Sequence, residues 1–140
     1  MVTGWYAEAV AEIEKAEKIT INVGLVDLGQ IDLLVREGFY SNRTDFIRTA
    51  IRNQLNASGT AITDTVARKT LVLGTQHYTR QALEAIRAAG QRVEIRVLGL
   101  ASIADDVSPE LALATIASVE VLGAFRASPA VKAALAARTA

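Results

Sequence analysis

Cysteine is absent from the 140-residue chain, which excludes a disulfide framework, a thiolate metal site and a cysteine nucleophile. Histidine occurs once, as His77, so no histidine cluster can form within one chain. Aromatic residues make up only 5% while hydrophobic residues reach 51%, and the core must therefore be built from Ala, Val, Leu and Ile. No charge of one sign prevails, since fifteen basic residues face fifteen acidic ones. That balance excludes the electrostatics of a histone-like protein, but not a face whose cations are local. There is no run of about 18 apolar residues and no early basic-then-apolar segment, so the expectation is a cytoplasmic protein with no membrane partner. No Gly-rich phosphate loop, nucleophile elbow or paired catalytic carboxylates stand out. The expectation is therefore no enzyme, no cofactor and no metal. Asp105-Asp106 is better explained as a turn leading to Ser108-Pro109 than as a cation site.

Four stretches differ in character. Over residues 3–17, Tyr6, Ala9, Val10, Ile13 and Ala16 share one face of an acidic amphipathic helix. Lys18-Ile19-Thr20-Ile21-Asn22-Val23 then alternates polar and apolar with period two, the signature of a strand with one buried face. Leu28, Ile31, Leu34 and Val35 recur at helical spacing and stop at Gly38, which suits a left-handed C-terminal position. Next, Asn42 as N-cap with Asp45 at N3 opens a second helix whose buried stripe is Phe46, Ile47, Ala50, Ile51 and Leu55. The small residues 57–61 read as a hinge.

Residues 62–140 carry a weak repeat. Val72-Leu73-Gly74, Val97-Leu98-Gly99 and Val121-Leu122-Gly123 are spaced by 25 and 24 residues. Each is read as closing a strand and is followed by a helix start at Thr79, Ser108-Pro109 or Ser128-Pro129, with the hydroxyl as cap and proline at N1. Ala82 and Ile86 correspond to Val131 and Leu135 at positions three and seven after their caps. Tandem strand-helix units favour parallel neighbours in one small sheet. The nearly all-apolar strands suggest burial on both faces.

A lone strand followed by two helices cannot bury enough apolar surface, and it leaves its ladder groups unpaired. A second copy resolves both problems. Two strands pairing antiparallel about a two-fold axis direct Ile19, Ile21 and Val23 into a shared core. Lys18, Thr20 and Asn22 then point outward as a two-stranded ribbon, and the major groove of B-DNA is wide enough for one. Lys can donate to guanine acceptors and Asn can pair with adenine. Thr can bond a base edge or touch a thymine methyl.

Residues 18–56 resemble a ribbon-helix-helix domain of the MetJ/Arc/CopG superfamily, closest to its CopG-like branch. The resemblance rests on Lys18–Val23, on Arg36-Glu37-Gly38, and on the run Phe39-Tyr40-Ser41-Asn42-Arg43-Thr44-Asp45-Phe46-Ile47-Arg48. That run is similar to the family's Gly-aromatic-Ser-x-Arg-Ser-Glu-x-Ile-Arg signature. The resemblance implies an obligate homodimer in which Lys18, Thr20 and Asn22 contact bases. It also implies that Ser41, Asn42, Arg43 and Thr44 contact a phosphate, as free N–H groups at a helix start would allow. The dimer core would comprise Ile19, Ile21, Val23, Ile31, Leu34, Phe46, Ile47 and Ile51. The sequence departs from the family pattern at Gly24-Leu25-Val26, where the first helix begins, and at Gly29 inside it. Nickel-responsive relatives use several His and a Cys, which this chain lacks.

The expected fold class is α+β: a ribbon-helix-helix dimer with a C-terminal α/β module of tandem strand-helix units. The domains would be an N-terminal helix over 1–17, the DNA-binding domain over 18–56, a hinge over 57–61, and an oligomerisation or effector module over 62–140. The expected function is that of a sequence-specific transcriptional repressor or autorepressor. Its partners would be double-stranded DNA and itself, as a dimer or a higher oligomer. Two alternatives are an antitoxin with a toxin partner and an architectural, filament-forming DNA-binding protein.

Overall fold

A computed structural model describes residues 16–140. The helix expected over 3–17 lies outside the described residues except for Ala16 and Glu17, which are not helical. The described chain divides into two compact units, Ala16–Thr65 and Val66–Ala140.

The first unit holds α1 (Leu25–Arg36) and α2 (Arg43–Ala57). Gly24 caps α1 without a side-chain bond, so the helix starts from its backbone alone, Leu28 N–H donating to Gly24 O at 2.9 Å. The predicted inward face is in place, with Ile31 buried and Leu28, Leu34 and Val35 half-buried. Gly38 takes φ +84°. The amides of Gly38 and Phe39 donate to Val35 O and Leu34 O at 3.1 and 3.0 Å, the paired closure of a helix end that needs a left-handed residue. At α2 the expected cap forms, with Asp45 N–H donating to Asn42 Oδ1 at 2.8 Å.

The stretch expected as a hinge, 57–61, is broken at one residue. Ser58 N–H closes α2 on Gln54 O, while its own carbonyl accepts from Ile62 N–H at 3.1 Å. Thus α3 (Gly59–Lys69) begins at once. Helix α3 ends at Thr70, which takes φ +53°, the one described non-glycine residue with positive φ.

The second unit continues as β1 (Val72–Tyr78), α4 (Arg80–Ala88), β2 (Val93–Ile103), α5 (Pro109–Thr115), β3 (Ile116–Arg126) and α6 (Pro129–Leu135), closed by a short 3-10 turn. The strands form one parallel sheet in the order β1-β2-β3. The three hydroxyl caps form as the sequence indicates, Thr79, Ser108 and Ser128 accepting from the N–H groups of Ala82, Leu111 and Val131. In α4 the inward residue is Leu83 rather than Ala82.

The repeated triplets stand in one register: Val72 beside Val97 beside Val121, and likewise for the leucines and glycines. They do not close the strands. The first triplet opens β1 and the other two lie well inside β2 and β3, because pairing with a neighbour, not local propensity, sets where a strand stops. A core of Leu83, Ile95, Val97, Ala101, Ile103, Val107, Leu111, Ala112, Ile116, Val119, Val131 and Leu135 fills one side of the sheet. Each large side chain so buried contributes about 1.5–3 kcal/mol. The register shifts between Val93 and Glu94, opposite Ile116 and Ser118. The extra residue on β3 lets both Ile116 and Val119 face the core despite their odd spacing.

Burial on both faces, expected from the apolar strands, does not occur. Along β2 the core residues alternate with half-buried Arg96, Leu98, Leu100 and Ser102, and on the flanking strands Leu73 and Leu122 are exposed. The reason is topological. Consecutive strands laid side by side in one direction through same-handed crossovers send every helix to one side.

Candidate nucleic-acid interface

The segment that carries Lys18, Thr20 and Asn22 forms no helix and pairs with no strand among the described residues. All three side chains are exposed. So are the alternate positions, Ile19 at 74%, Ile21 at 65% and Val23 at 38%. Leaving three β-branched side chains this open is costly in water, and such a patch is the mark of an unmet surface.

The same holds across the whole unit. Of the eight residues assigned to a dimer core, Ile31 is buried and Leu34 and Phe46 are half-buried; Ile19, Ile21, Val23, Ile47 and Ile51 are exposed in a single chain. The predicted stripe on α2 is present as a stripe, but Ala50 and Leu55 are exposed too. Ile31 is the single buried side chain between residues 16 and 65. Within the unit, Tyr40 meets Phe46 edge to face, the ring centroids 5.0 Å apart. One aromatic pair and one buried isoleucine do not make a core.

At the start of α2, Ser41, Asn42, Arg43 and Thr44 are all exposed. The Asp45 carboxylate accepts from Ser41 N–H at 3.0 Å while Asp45 N–H donates to Asn42. This is a reciprocal cap displaced by one residue from the usual box. It leaves the N–H groups of Asn42, Arg43 and Thr44 as the remaining donors at the helix start. Arg43 is held by a residue the sequence reading did not single out. Its Nε and a terminal nitrogen donate to the two carboxylate oxygens of Asp32 on α1, at 2.7 and 2.8 Å. The hydrogen bond from Arg43 outweighs desolvation and, with the weaker effects of the Arg43 and Arg36 charges, holds the Asp32 carboxyl below its ordinary value. The same pair raises Arg43 above its ordinary value. Eleven residues separate the partners, a spacing no short-range rule flags. The fork leaves Arg43 with three N–H donors, so the guanidinium can bridge Asp32 and a second anion. Arg48 and Arg52 are exposed further along α2.

In the second unit, His77 Nδ1 lies 2.6 Å from Ser102 Oγ across the sheet. No group of three or more His, Cys, Asp or Glu among the described residues is placed to hold a metal ion. No described helix is long and apolar enough to cross a membrane.

No curated protein and no solved structure matches the chain. The family model described as the Ribbon-Helix-Helix transcriptional regulator family matches residues 14–132, a span that takes in the two-helix unit and nearly all of the parallel sheet unit. The chain thus belongs to the ribbon-helix-helix family of DNA-binding transcriptional regulators.

Proposed function

We propose that this protein is a sequence-specific repressor, acting on its own promoter among other sites, that binds DNA as a homodimer through a ribbon made of residues 18–23 from two copies. The observation that carries this reading is the half-core of the first unit. One buried side chain cannot stabilise two helices and an unpaired segment, whereas a second copy would cover Ile19, Ile21, Val23, Ile47, Ile51 and Leu55 at once. Antiparallel pairing about the two-fold axis gives each segment its missing ladder partner. It turns Lys18, Thr20 and Asn22 of both copies to the same outer side, where their donors and acceptors suit base edges in the major groove. The exposed start of α2, with the N–H groups of Arg43 and Thr44 and the hydroxyls of Ser41 and Thr44, would seat a backbone phosphate and fix the ribbon's register.

A folded parallel sheet over the second unit favours a regulator with an assembly module over an antitoxin, whose toxin-binding tail would be short, charged and disordered until bound. The test is an electrophoretic shift with the DNA upstream of the protein's own gene against random DNA at two salt concentrations. Wild type should discriminate between them, and the Lys18/Thr20/Asn22 triple alanine variant should bind both weakly and alike. Retained discrimination in the triple variant would refute the ribbon as the reading element.

A further inference from the structure

Among the described residues, the outer edge of β1 and the later part of the outer edge of β3 pair with no strand, and the two match one another. Gly74, Gly99 and Gly123 stand side by side with φ of +129°, +139° and +120°. A Cβ at Gly99 would run into the Gly74 carbonyl, and a Cβ at Gly123 into the Gly99 carbonyl. Each strand therefore receives the carbonyl of the strand before it at a position where only glycine fits. Gly74 has the same conformation, and no described atom lies within 4 Å of its Cβ position. At the other edge, Gly123 repeats the conformation whose carbonyl reaches the next glycine on the two earlier strands.

We propose that the outer edge of β3 takes β1 of a second copy of this chain, so that the parallel sheet continues from molecule to molecule with Gly123 of one copy against Gly74 of the next. The lengths of the two edges agree with this. The C-terminal residues already cover the first part of the β3 edge, through the parallel bridge between Val119 and Thr139 and the bond from Ala140 N–H to Val119 O at 2.9 Å. Among the described residues none pairs with that edge from Val121 onward, and β1 starts at Val72, the residue that corresponds to Val121 in the ladder. Composition agrees as well. Free edges are normally guarded by charge, proline or a covering element; β1 (Val-Leu-Gly-Thr-Gln-His-Tyr) holds neither charged residue nor proline, and the rest of β3 from Val121 (Val-Leu-Gly-Ala-Phe-Arg) holds one charge, Arg126 at its last position. Joining them would set Leu73, 66% exposed, beside Leu122, 51% exposed, extending the Leu73–Leu98–Leu122 row by its own pattern. The two edges are different surfaces, so the contact is head-to-tail, and such contacts propagate into filaments or close into rings.

The proposal stands apart from the DNA-binding reading, and its test does not use DNA. Because the chain has no cysteine, introduced thiols report without background. Neighbouring parallel strands lie about 4.8 Å apart, so positions 73 and 122 are adjacent across the proposed contact. Within one chain they are two strands apart, roughly 9.6 Å by the same spacing, beyond disulfide reach. The full-length Leu73→Cys/Leu122→Cys variant, oxidised and run without reductant, should give a ladder of covalent dimers, trimers and larger species. Under denaturing conditions either single variant alone should show no cross-linked species, and the two mixed should give a covalent dimer and nothing larger. Gly74→Ala in the double-cysteine background should erase the ladder with the far-ultraviolet circular dichroism retained. Cross-linking of a single variant would show that like edges meet and overturn the proposal. So would a double variant that stays monomeric or stops at a dimer, or a ladder that survives Gly74→Ala.

Discussion

A methyl group at position 99 would sit 3.0 Å from the Gly74 carbonyl carbon and nearer still to its oxygen, on a backbone whose φ of +139° L-residues rarely adopt. Gly99→Ala therefore carries two costs: about 1–3 kcal/mol for the backbone conformation, and about 1–3 kcal/mol for shifting a paired strand to relieve the overlap. Gly74→Ala, at φ +129° with open space around the new methyl, carries the first cost alone. Native-state hydrogen exchange on the amides of β2 and β3 in dilute full-length protein measures the difference without requiring one transition for both units. Opening of the sheet should become easier in both variants, by about tenfold more in Gly99→Ala for each 1.4 kcal/mol of steric cost. Equal protection in the two variants would show that the glycine ladder is a matter of backbone conformation only, with no steric contact between strands.

Four further outcomes are expected. Thr70→Gly should stabilise the junction of α3 and β1 by about 1 kcal/mol, because a β-branched residue stands at φ +53° there; an unchanged or lower melting temperature would contradict this. Thr20→Ala and Asn22→Ala should each cost about 1–3 kcal/mol in discrimination between operator and random DNA, read from competition shifts, and unchanged ratios in both would argue against base contacts. Arg43→Ala should weaken binding to all sequences and lower the salt slope by about one; a change of specificity at constant slope would remove the phosphate role. The Asp32 carboxyl, lowered chiefly by its hydrogen bond from Arg43, lends stability that is full above its unfolded pKa and is lost as pH falls through its depressed folded value. A carbon-detected titration should show its midpoint rising toward the ordinary carboxylate range in Arg43→Ala, and an unmoved midpoint would show that the ion pair is not the cause.

Local chemistry was legible along the chain wherever a single residue type performs a single backbone task. Asn42, Thr79, Ser108 and Ser128 cap their helices as their hydroxyl or amide chemistry directs, and Gly38 ends α1 in the left-handed region. The recurrence of Val-Leu-Gly indicated parallel strands because equal spacing returns equal side chains to equal places in a sheet. The alternation over 18–23 sets three polar residues against three apolar ones, which would part to opposite faces once the segment paired as a strand.

Other features depend on groups distant in sequence and carry no local mark. The second and third triplets sit inside β2 and β3, and the first opens β1 instead of closing it, because ladder partners extend the strands beyond the glycines. Among the described residues no helix covers the second face of the sheet, because the crossovers share a hand, a property of the chain path that the apolar composition of the strands cannot express. Asp32 meets Arg43 only because α1 turns back on α2 at Gly38. Arg138 bonds the carbonyls of Leu113 and Ile116, at 2.7 and 2.8 Å, because α6 returns the chain to the junction of α5 and β3. Periodicity and caps are set by each residue and its near neighbours, so the sequence states them directly. Register, coverage and long-range ion pairs are set by which surfaces meet, and those meetings exist only once the chain has folded.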